Sequence, residues 1–254
     1  MKKIEVSYLK RLKEKSLKLR QETFRMFIKK KEAHLGGSFS IIEILIALHE
    51  KINSRDKFIL SKSHASFPLC ILLKQYGLNP KITTHLEIDV KNRIYCTTGS
   101  LGHGLPIATG MAFARKKQKK DGKIYVLISD GECQEGTTWE SILIATKHKL
   151  DNLVIIVDYN KIQALSKIQD VLPLDNIYKK FKSFNCNCVS IKNGHNFNSL
   201  FKGIMKIKKN KKPTVLIIDT IKGKGVKEFE NDPVWHARQL AGKEIGIAKK
   251  RLKL

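Results

Sequence analysis

Long apolar runs, acidic residues and aromatic rings are all scarce in this sequence of 254 residues. Runs such as "VLISD" and "TVLIID" reach five or six residues before a charge or a turn, far short of the roughly 18 to 20 that a membrane-spanning helix needs. No transmembrane helix is expected. The N-terminal stretch "MKKIEVSYLKRLKEKSLKLRQ" has basic residues but neither a continuous apolar segment nor a small-residue cleavage site. It reads as an amphipathic surface helix rather than a signal peptide, and a cytoplasmic protein is expected. Cysteines at 70, 96, 133, 186 and 188 are odd in number and lack a repeating spacing, which argues against a disulfide framework. Cys186 and Cys188 form C-x-C, but no second Cys or His pair stands at finger-like spacing, so no structural zinc site is expected.

Acid is outnumbered: 23 Asp plus Glu face 49 Lys plus Arg, a formal charge of +26. Such a chain suits nucleic acid, an anionic membrane surface or an acidic partner. The lysines, however, are spread along the whole sequence beside abundant Ile and Asn, no nucleic-acid-binding motif accompanies them, and aromatics make only 7%. Charge alone supports salt-sensitive, non-specific association, so specific nucleic-acid binding is not expected. The basic stretch "KIKKNKKP" reads as a solvated turn.

What is present is an ordinary hydrophobic fraction, 42%, in a chain long enough for one large α/β domain or two small ones. No internal repeat and no linker appear, so residues 1–254 are read as one domain. Residues 3 to 31 carry Leu9, Leu12, Leu17, Leu19, Phe24 and Phe27 on one loose helical face. "HLGGSFS" interrupts that pattern, with Ser38 or Ser40 placed to cap the apolar helix "IIEILIALHE". "FILS" reads as a strand, followed by a loop with His64 and a helix from about Phe67 to Tyr76. Residues 78 to 100 read as irregular. "GSLGHGLPIATGMAFARKK" gives a Gly-rich loop opening into a small-residue helix. Four more strands, "KIYVLISD", "NLVIIVDYN", "FNCNCVSI" and "PTVLIIDTI", alternate with the helices "TTWESILIATKHKL" and "FNSLFKGIMKIKK". This alternation predicts an α/β fold: a doubly wound, mostly parallel sheet with helices on both faces.

Two strands end at once in polar groups, Asp130 and Asn160, and the helix between them makes a βαβ unit that brings both to one sheet edge. Ligands of open parallel sheets bind beyond that edge. A carboxylate, an amide oxygen and a backbone carbonyl suit Mg²⁺ or Ca²⁺, which completes its shell with phosphate oxygens. Glycines and a helix N-terminus let backbone N–H groups approach those phosphates. The residues thus point to a metal–diphosphate site, although Asp-Gly with an Asn thirty positions on is by itself a weak signal.

The block "SDGECQEGTTWESILIATKHKLDNLVIIVDYNKIQ" resembles the thiamine-diphosphate motif of transketolases. "KKEAHLGGSFSIIEIL", "FILSKSHAS", "TTGSLGHGLPIATGMA" and "TIKGKGVKEFENDPVWH" resemble further segments of that family, in its order, from residue 33 to 236. The chain is also similar to the short N-terminal subunit of split transketolases. The resemblance implies the diphosphate-binding domain alone. The activating glutamate, the clamp on the pyrimidine ring and most sugar-phosphate contacts would then come from a separate C-terminal pyrimidine-domain subunit, for which 254 residues leave no room. It further implies thiamine diphosphate and Mg²⁺ (or Ca²⁺) as cofactors, a heterotetramer, and transfer of a two-carbon ketol unit from a ketose phosphate to an aldose.

By the same resemblance, Asp130, Asn160 and the carbonyl of Ile162 match metal ligands, while His64, Gly99, Leu101, Gly131 and Asn160 match positions along the cofactor. His34, His85 and His236 match histidines around the reactive carbon, where they would bind donor hydroxyls and shuttle protons. Glu135 and Glu140 match glutamates linking paired cofactor sites across the dimer. His49, His103, His148 and His195 are read as structural or exposed.

Some positions depart from the family. Ser129 stands in place of Gly, Ser63 in place of the Gly of "SKGHA", and His103 in place of the Gln of "LGQG". The serines would put side chains near the diphosphate, and His103 would put a titratable ring beside it. "HLEIDVKNRIYC" lacks the usual Pro-Gly turn. Other readings are a deoxyxylulose-phosphate synthase fragment, a 2-oxo-acid dehydrogenase α-subunit, or a non-catalytic basic protein on the same fold. "KGKGV" followed by "WH" at 235–236 favours transketolase.

Overall fold

A computed structural model describes residues 5–164 and 166–254. The N-terminal helix, α1, runs Val6–Lys30; positions 3 and 4 of the expected helix lie outside the described residues. Its buried stripe is Leu12, Ser16, Leu19, Arg20, Thr23, Phe24 and Phe27, the i, i+4, i+7 spacing of one helical face. It stops at Lys31, which takes the left-handed conformation at φ 53° and returns its N–H to the last turn. Two short helices follow, α2 (Leu35–Phe39) and α3 (Ile42–His49), the second almost entirely buried. Neither Ser38 nor Ser40 caps α3. Ser40 instead donates to Asp158 Oδ2 at 2.7 Å, because a buried carboxylate gains more from the hydroxyl than a helix end does.

The remaining elements are β1 (Lys57–Leu60), α4 (Ser66–Gln75), α5 (Gly104–Lys117), β2 (Ile124–Ser129), α6 (Gly136–Lys147), β3 (Leu153–Tyr159), α7 (Ile168–Val171), α8 (Ile177–Ser183), β4 (Asn187–Ile191), α9 (Phe197–Ile204), β5 (Thr214–Asp219) and α10 (Lys243–Leu252). The strands form one sheet in the order β1-β2-β3-β5-β4, and every pair is parallel. Alternate strand residues enter different cores, as a pleated strand requires. Tyr125, Leu127, Val154, Ile156, Leu216 and Ile218 pack with α1, α3, α4 and α9. Ile124, Val126, Ile128, Ile155, Val157 and Ile217 pack with α5, α6 and α8 on the other face. The sheet is therefore buried on both sides and doubly wound, which explains why its strands read as unbroken apolar runs.

The segment expected to be irregular, 78–100, contains antiparallel bridges Leu86–Thr98 and Asp89–Ile94. Asp89 accepts from the Asn92 amide and closes the tight turn between them, a local device that replaces the missing Pro-Gly. Among the described residues no helix is long and apolar enough to cross a membrane.

Candidate functional site

Because all five strands are parallel, their carboxyl ends share one edge. β2 delivers Asp130, only 1% exposed, whose Oδ1 accepts from the Gly131 amide at 2.9 Å and whose Oδ2 accepts from the Lys161 amide at 2.5 Å. β3 delivers Asp158 and Asn160, with Asn160 Nδ2 donating to Asp158 Oδ2 at 3.1 Å and Asn160 Oδ1 accepting from the Ile162 amide at 3.0 Å. Lys161 turns the chain in the left-handed region, φ 66°, which is what aims its N–H back at Asp130.

β1 and β5 each bring an ammonium group. Lys62 Nζ reaches Asp158 Oδ2 at 2.6 Å and the Gly37 carbonyl at 3.1 Å. Lys222 Nζ donates to the Ile162 carbonyl at 3.0 Å and to His236 Nδ1 at 2.7 Å. Both lysines are 1% exposed. Only Lys62 has a carboxylate as direct partner. Burial, and then the Lys62 charge, push the Lys222 ammonium down to about 7. Burial, and then the Asp158 charge, push the Asp130 carboxyl up to about 7. The edge thus holds a carboxylate and an ammonium that each lack a full counter-charge. A divalent cation at the first and a polyanion at the second would satisfy both.

Three of the four histidines expected at the site meet in a triangle: ring centroids lie 5.4 Å apart for His34–His64, 5.6 Å for His34–His236 and 5.3 Å for His64–His236. Burial, helped by the nearby lysines, depresses all three, His236 to about 3, so the rings are neutral and offer hydrogen-bond donors and acceptors without a charge. His34 Nδ1 is buried without a partner, an acceptor or donor waiting for a ligand. His34 sits at φ 70°, and the strain is the kind that settles at functional positions. His85 stays outside the triangle. It is exposed, and its ring covers Gly99 so closely that a Cβ there would lie 2.7 Å from Cδ2.

A cavity of about 310 Å³ connects these groups, lined by His64, Leu101, Asp130, Gly131, Asn160, Ile162 and His236 together with Lys62 and Lys222. His34, His85 and Gly99 are not in its wall. The oxygens offered are one carboxylate, one amide and one carbonyl, and among the described residues no cluster of three or more His, Cys, Asp or Glu could hold a metal alone. The donor set therefore fits a hard cation that shares its shell with phosphate oxygens.

The Gly-rich loop before α5 is held from below by Glu132, fully buried, which accepts from the amides of Gly102 at 3.0 Å and Ser129 at 2.8 Å and from the Ser61 hydroxyl. Gly104 must be glycine, since a Cβ would run into Ser61. The serine departures are accommodated by partners of their own. Ser129 Oγ lies 3.3 Å from Glu132 Oε2, and Ser63 Oγ donates to the Thr98 carbonyl at 2.8 Å. Ser129 nevertheless stands in the cavity wall, as expected, whereas Ser63 does not, and His103 is exposed against the Leu101 carbonyl outside that wall. Lys62, Asp158, Glu132 and Lys222 were missed by sequence reasoning, although "SKSHAS" and "KGKGV" contain the lysines. Glu135 and Glu140 are exposed at the start of α6.

The profile described as "Transketolase, thiamine diphosphate binding domain" matches residues 43–254. The chain is 36% identical over 242 residues to an apulose-4-phosphate transketolase subunit of Actinobacillus succinogenes, covering 87% of each. It is 33% identical over 230 residues to a 6-deoxy-6-sulfo-D-fructose transketolase subunit of a Clostridium species, covering 82% of this chain and 83% of that one. The crystal structure of transketolase from Campylobacter jejuni superimposes with a TM-score of 0.84 at 28% identity, over 96% of this chain but 43% of that one. The chain thus spans less than half the length of that transketolase, and by sequence and fold it belongs to the transketolase family, matching its thiamine diphosphate binding domain.

Proposed function

We propose that this chain is one diphosphate-binding domain, the N-terminal subunit of a two-chain transketolase that binds thiamine diphosphate with Mg²⁺ or Ca²⁺ and moves a two-carbon ketol unit from a ketose to an aldose. The observation that carries this reading is the meeting of Asp130, Asn160 and the Ile162 carbonyl with two buried ammonium groups in one cavity at the strand ends. Asp130, Asn160 and Ile162 hold the metal. Lys62 and Lys222 would face the diphosphate, beside Gly131 and the loop through Gly99 and Leu101. Bound thiamine diphosphate supplies a nucleophilic carbon and the electron sink for breaking a carbon–carbon bond beside a carbonyl.

The chain's own residues orient the reactants and handle protons. His34, His64 and His236 present neutral imidazoles to the donor hydroxyls and carbonyl, and the free Nδ1 of His34 takes one of those hydrogen bonds. His85, on its exposed loop, contributes as substrate arrives. Glu135 and Glu140 approach a second copy across a two-fold, so that two of these chains and two pyrimidine-domain subunits make a heterotetramer. The relatives named for apulose 4-phosphate and for sulfofructose share a ketose with an anionic group at its far end, and we assign the same substrate class here. Five free cysteines suit a reducing cytoplasm, and no specific nucleic-acid partner is assigned.

The test mixes the chain with a pyrimidine-domain subunit, thiamine diphosphate, Mg²⁺ and a panel of ketose and aldose phosphates. Two-carbon transfer that needs both chains and the cofactor is expected. Cofactor binding with no transfer to any aldose would overturn the assigned reaction.

A further inference from the structure

Beyond β5 the Thr220 N–H still bonds the Tyr159 carbonyl of β3, and the chain then turns through Ile221 and Lys222, where the backbone groups find partners outside the sheet ladder. Gly223 N–H bonds the Gly36 carbonyl at 3.0 Å, and the Lys222 carbonyl accepts from Asn231 at 2.9 Å. The Ile221 N–H is different: it donates to a side chain, His195 Nε2, at 2.9 Å. A backbone amide can only donate. Nε2 therefore carries no proton, and the ring's proton sits on Nδ1, which lies 2.9 Å from Glu43 Oε2.

Glu43 is fixed in turn by Arg20, whose Nη2 stands 2.9 and 3.1 Å from its two oxygens. All three side chains are at most 10% exposed. Burial alone would raise the Glu43 carboxyl, but Arg20 and His195 outweigh it and hold it at about 2. Gly194, where a Cβ would lie 2.6 and 2.7 Å from Ile218 and Thr220, lets the turn after β4 come close enough to insert the ring. A rigid line thus runs from α1 through α3 and the turn after β4 to the peptide that carries Lys222.

We propose that His195 is a positioning residue: by accepting the Ile221 N–H it sets where the Lys222 ammonium stands in the cofactor cavity, and so governs affinity for the diphosphate without touching it. This rests on the cofactor reading above. An imidazole locked in one tautomer makes a stiffer anchor than a water molecule, and a peptide one residue from a buried ammonium transmits its position with little play.

The two functions of the ring can be separated. His195→Gln places an amide oxygen near the Nε2 position and keeps an acceptor for Ile221. His195→Asn places an amide nitrogen near Nδ1 and keeps only the donor to Glu43. Calorimetry with thiamine diphosphate and Mg²⁺, on the complex with the pyrimidine-domain subunit, should find the Gln variant within about threefold of wild type and the Asn variant weaker by roughly tenfold, the scale of one buried hydrogen bond. Thermal unfolding of both variants, run alongside, reports any loss of packing. Histidine ¹⁵N spectra of the wild-type chain should show a His195 ring protonated at Nδ1 and bare at Nε2. Equal affinity of both variants to wild type, affinity losses that simply follow the loss of thermal stability, or the opposite tautomer would overturn the inference. Absence of binding by the wild-type complex would instead remove the cofactor reading, and this inference with it.

Discussion

The two ends of the sheet use the same residue type in opposite ways. At the carboxyl ends Lys62 and Lys222 are 1% exposed and each donates to specific oxygens or nitrogens. At the amino ends Arg55, Lys116, Lys119, Lys120, Lys123 and Lys209 line an open cleft with Asp56, Asp121 and Asp151. An ion pair there, Arg55–Asp121, is 70% and 74% exposed. Exposed pairs are screened and contribute ~1 kcal/mol or less, whereas a buried charge is held in place by its partners or not at all. The +26 charge is thus mainly a property of the surface, while the two lysines at the candidate site hardly touch water.

Substitutions at the two ends should separate these roles. The largest effect is expected for Lys62→Met, which leaves Asp158 buried without its cation; unfolding should become easier by about 3–5 kcal/mol, read from denaturant midpoints. Acid comes next. The Glu43 carboxyl lies at about 2 in the fold against 4.5 ordinarily, a depressed value, so its contribution is present above 4.5 and is lost as pH falls from there towards 2. Roughly 3 kcal/mol should disappear over that window, and a Glu43→Gln variant, less stable at neutral pH, should show a flatter decline in urea titrations. Third is Lys222→Met. Having no carboxylate partner, it should fold nearly as well as wild type yet bind thiamine diphosphate about 2–3 kcal/mol more weakly, the worth of a charge-assisted bond; calorimetry distinguishes this from a packing defect. The smallest effect is expected for the double replacement Lys119→Gln with Lys120→Gln, within about 0.5 kcal/mol for stability and none for cofactor affinity. A large loss of cofactor binding there would erase the contrast.

Much of the fold and the site is legible in the sequence, and the exceptions have physical causes. Parallel strands buried on both faces read as apolar runs that stop abruptly, so Asp130 and Asn160 stand out at their ends. The triangle of His34, His64 and His236 follows from resemblance, since no local pattern joins residues so far apart in the chain. Lys62 and Lys222 are hidden by number: among 49 basic residues nothing local marks the two that stand buried at the strand ends. Ser40 reads as a cap because its partner, Asp158, is 118 positions away. His195 looks like a bystander for the same reason, its two bonds reaching Glu43 and Ile221 across the fold. The bridged turn within 78–100 rests on Asp89 and Asn92, too short a signal to separate from ordinary loop.

The most informative test is calorimetric titration of thiamine diphosphate into the complex of this chain with a pyrimidine-domain subunit, with Mg²⁺ and with a chelator, for wild type and for Asp130→Ala. Binding that requires Mg²⁺ in wild type and is lost in Asp130→Ala, with the variant's thermal unfolding unimpaired, is the expected result. Equal affinity in chelator, or unchanged binding by Asp130→Ala, would contradict the metal–diphosphate site at the strand ends.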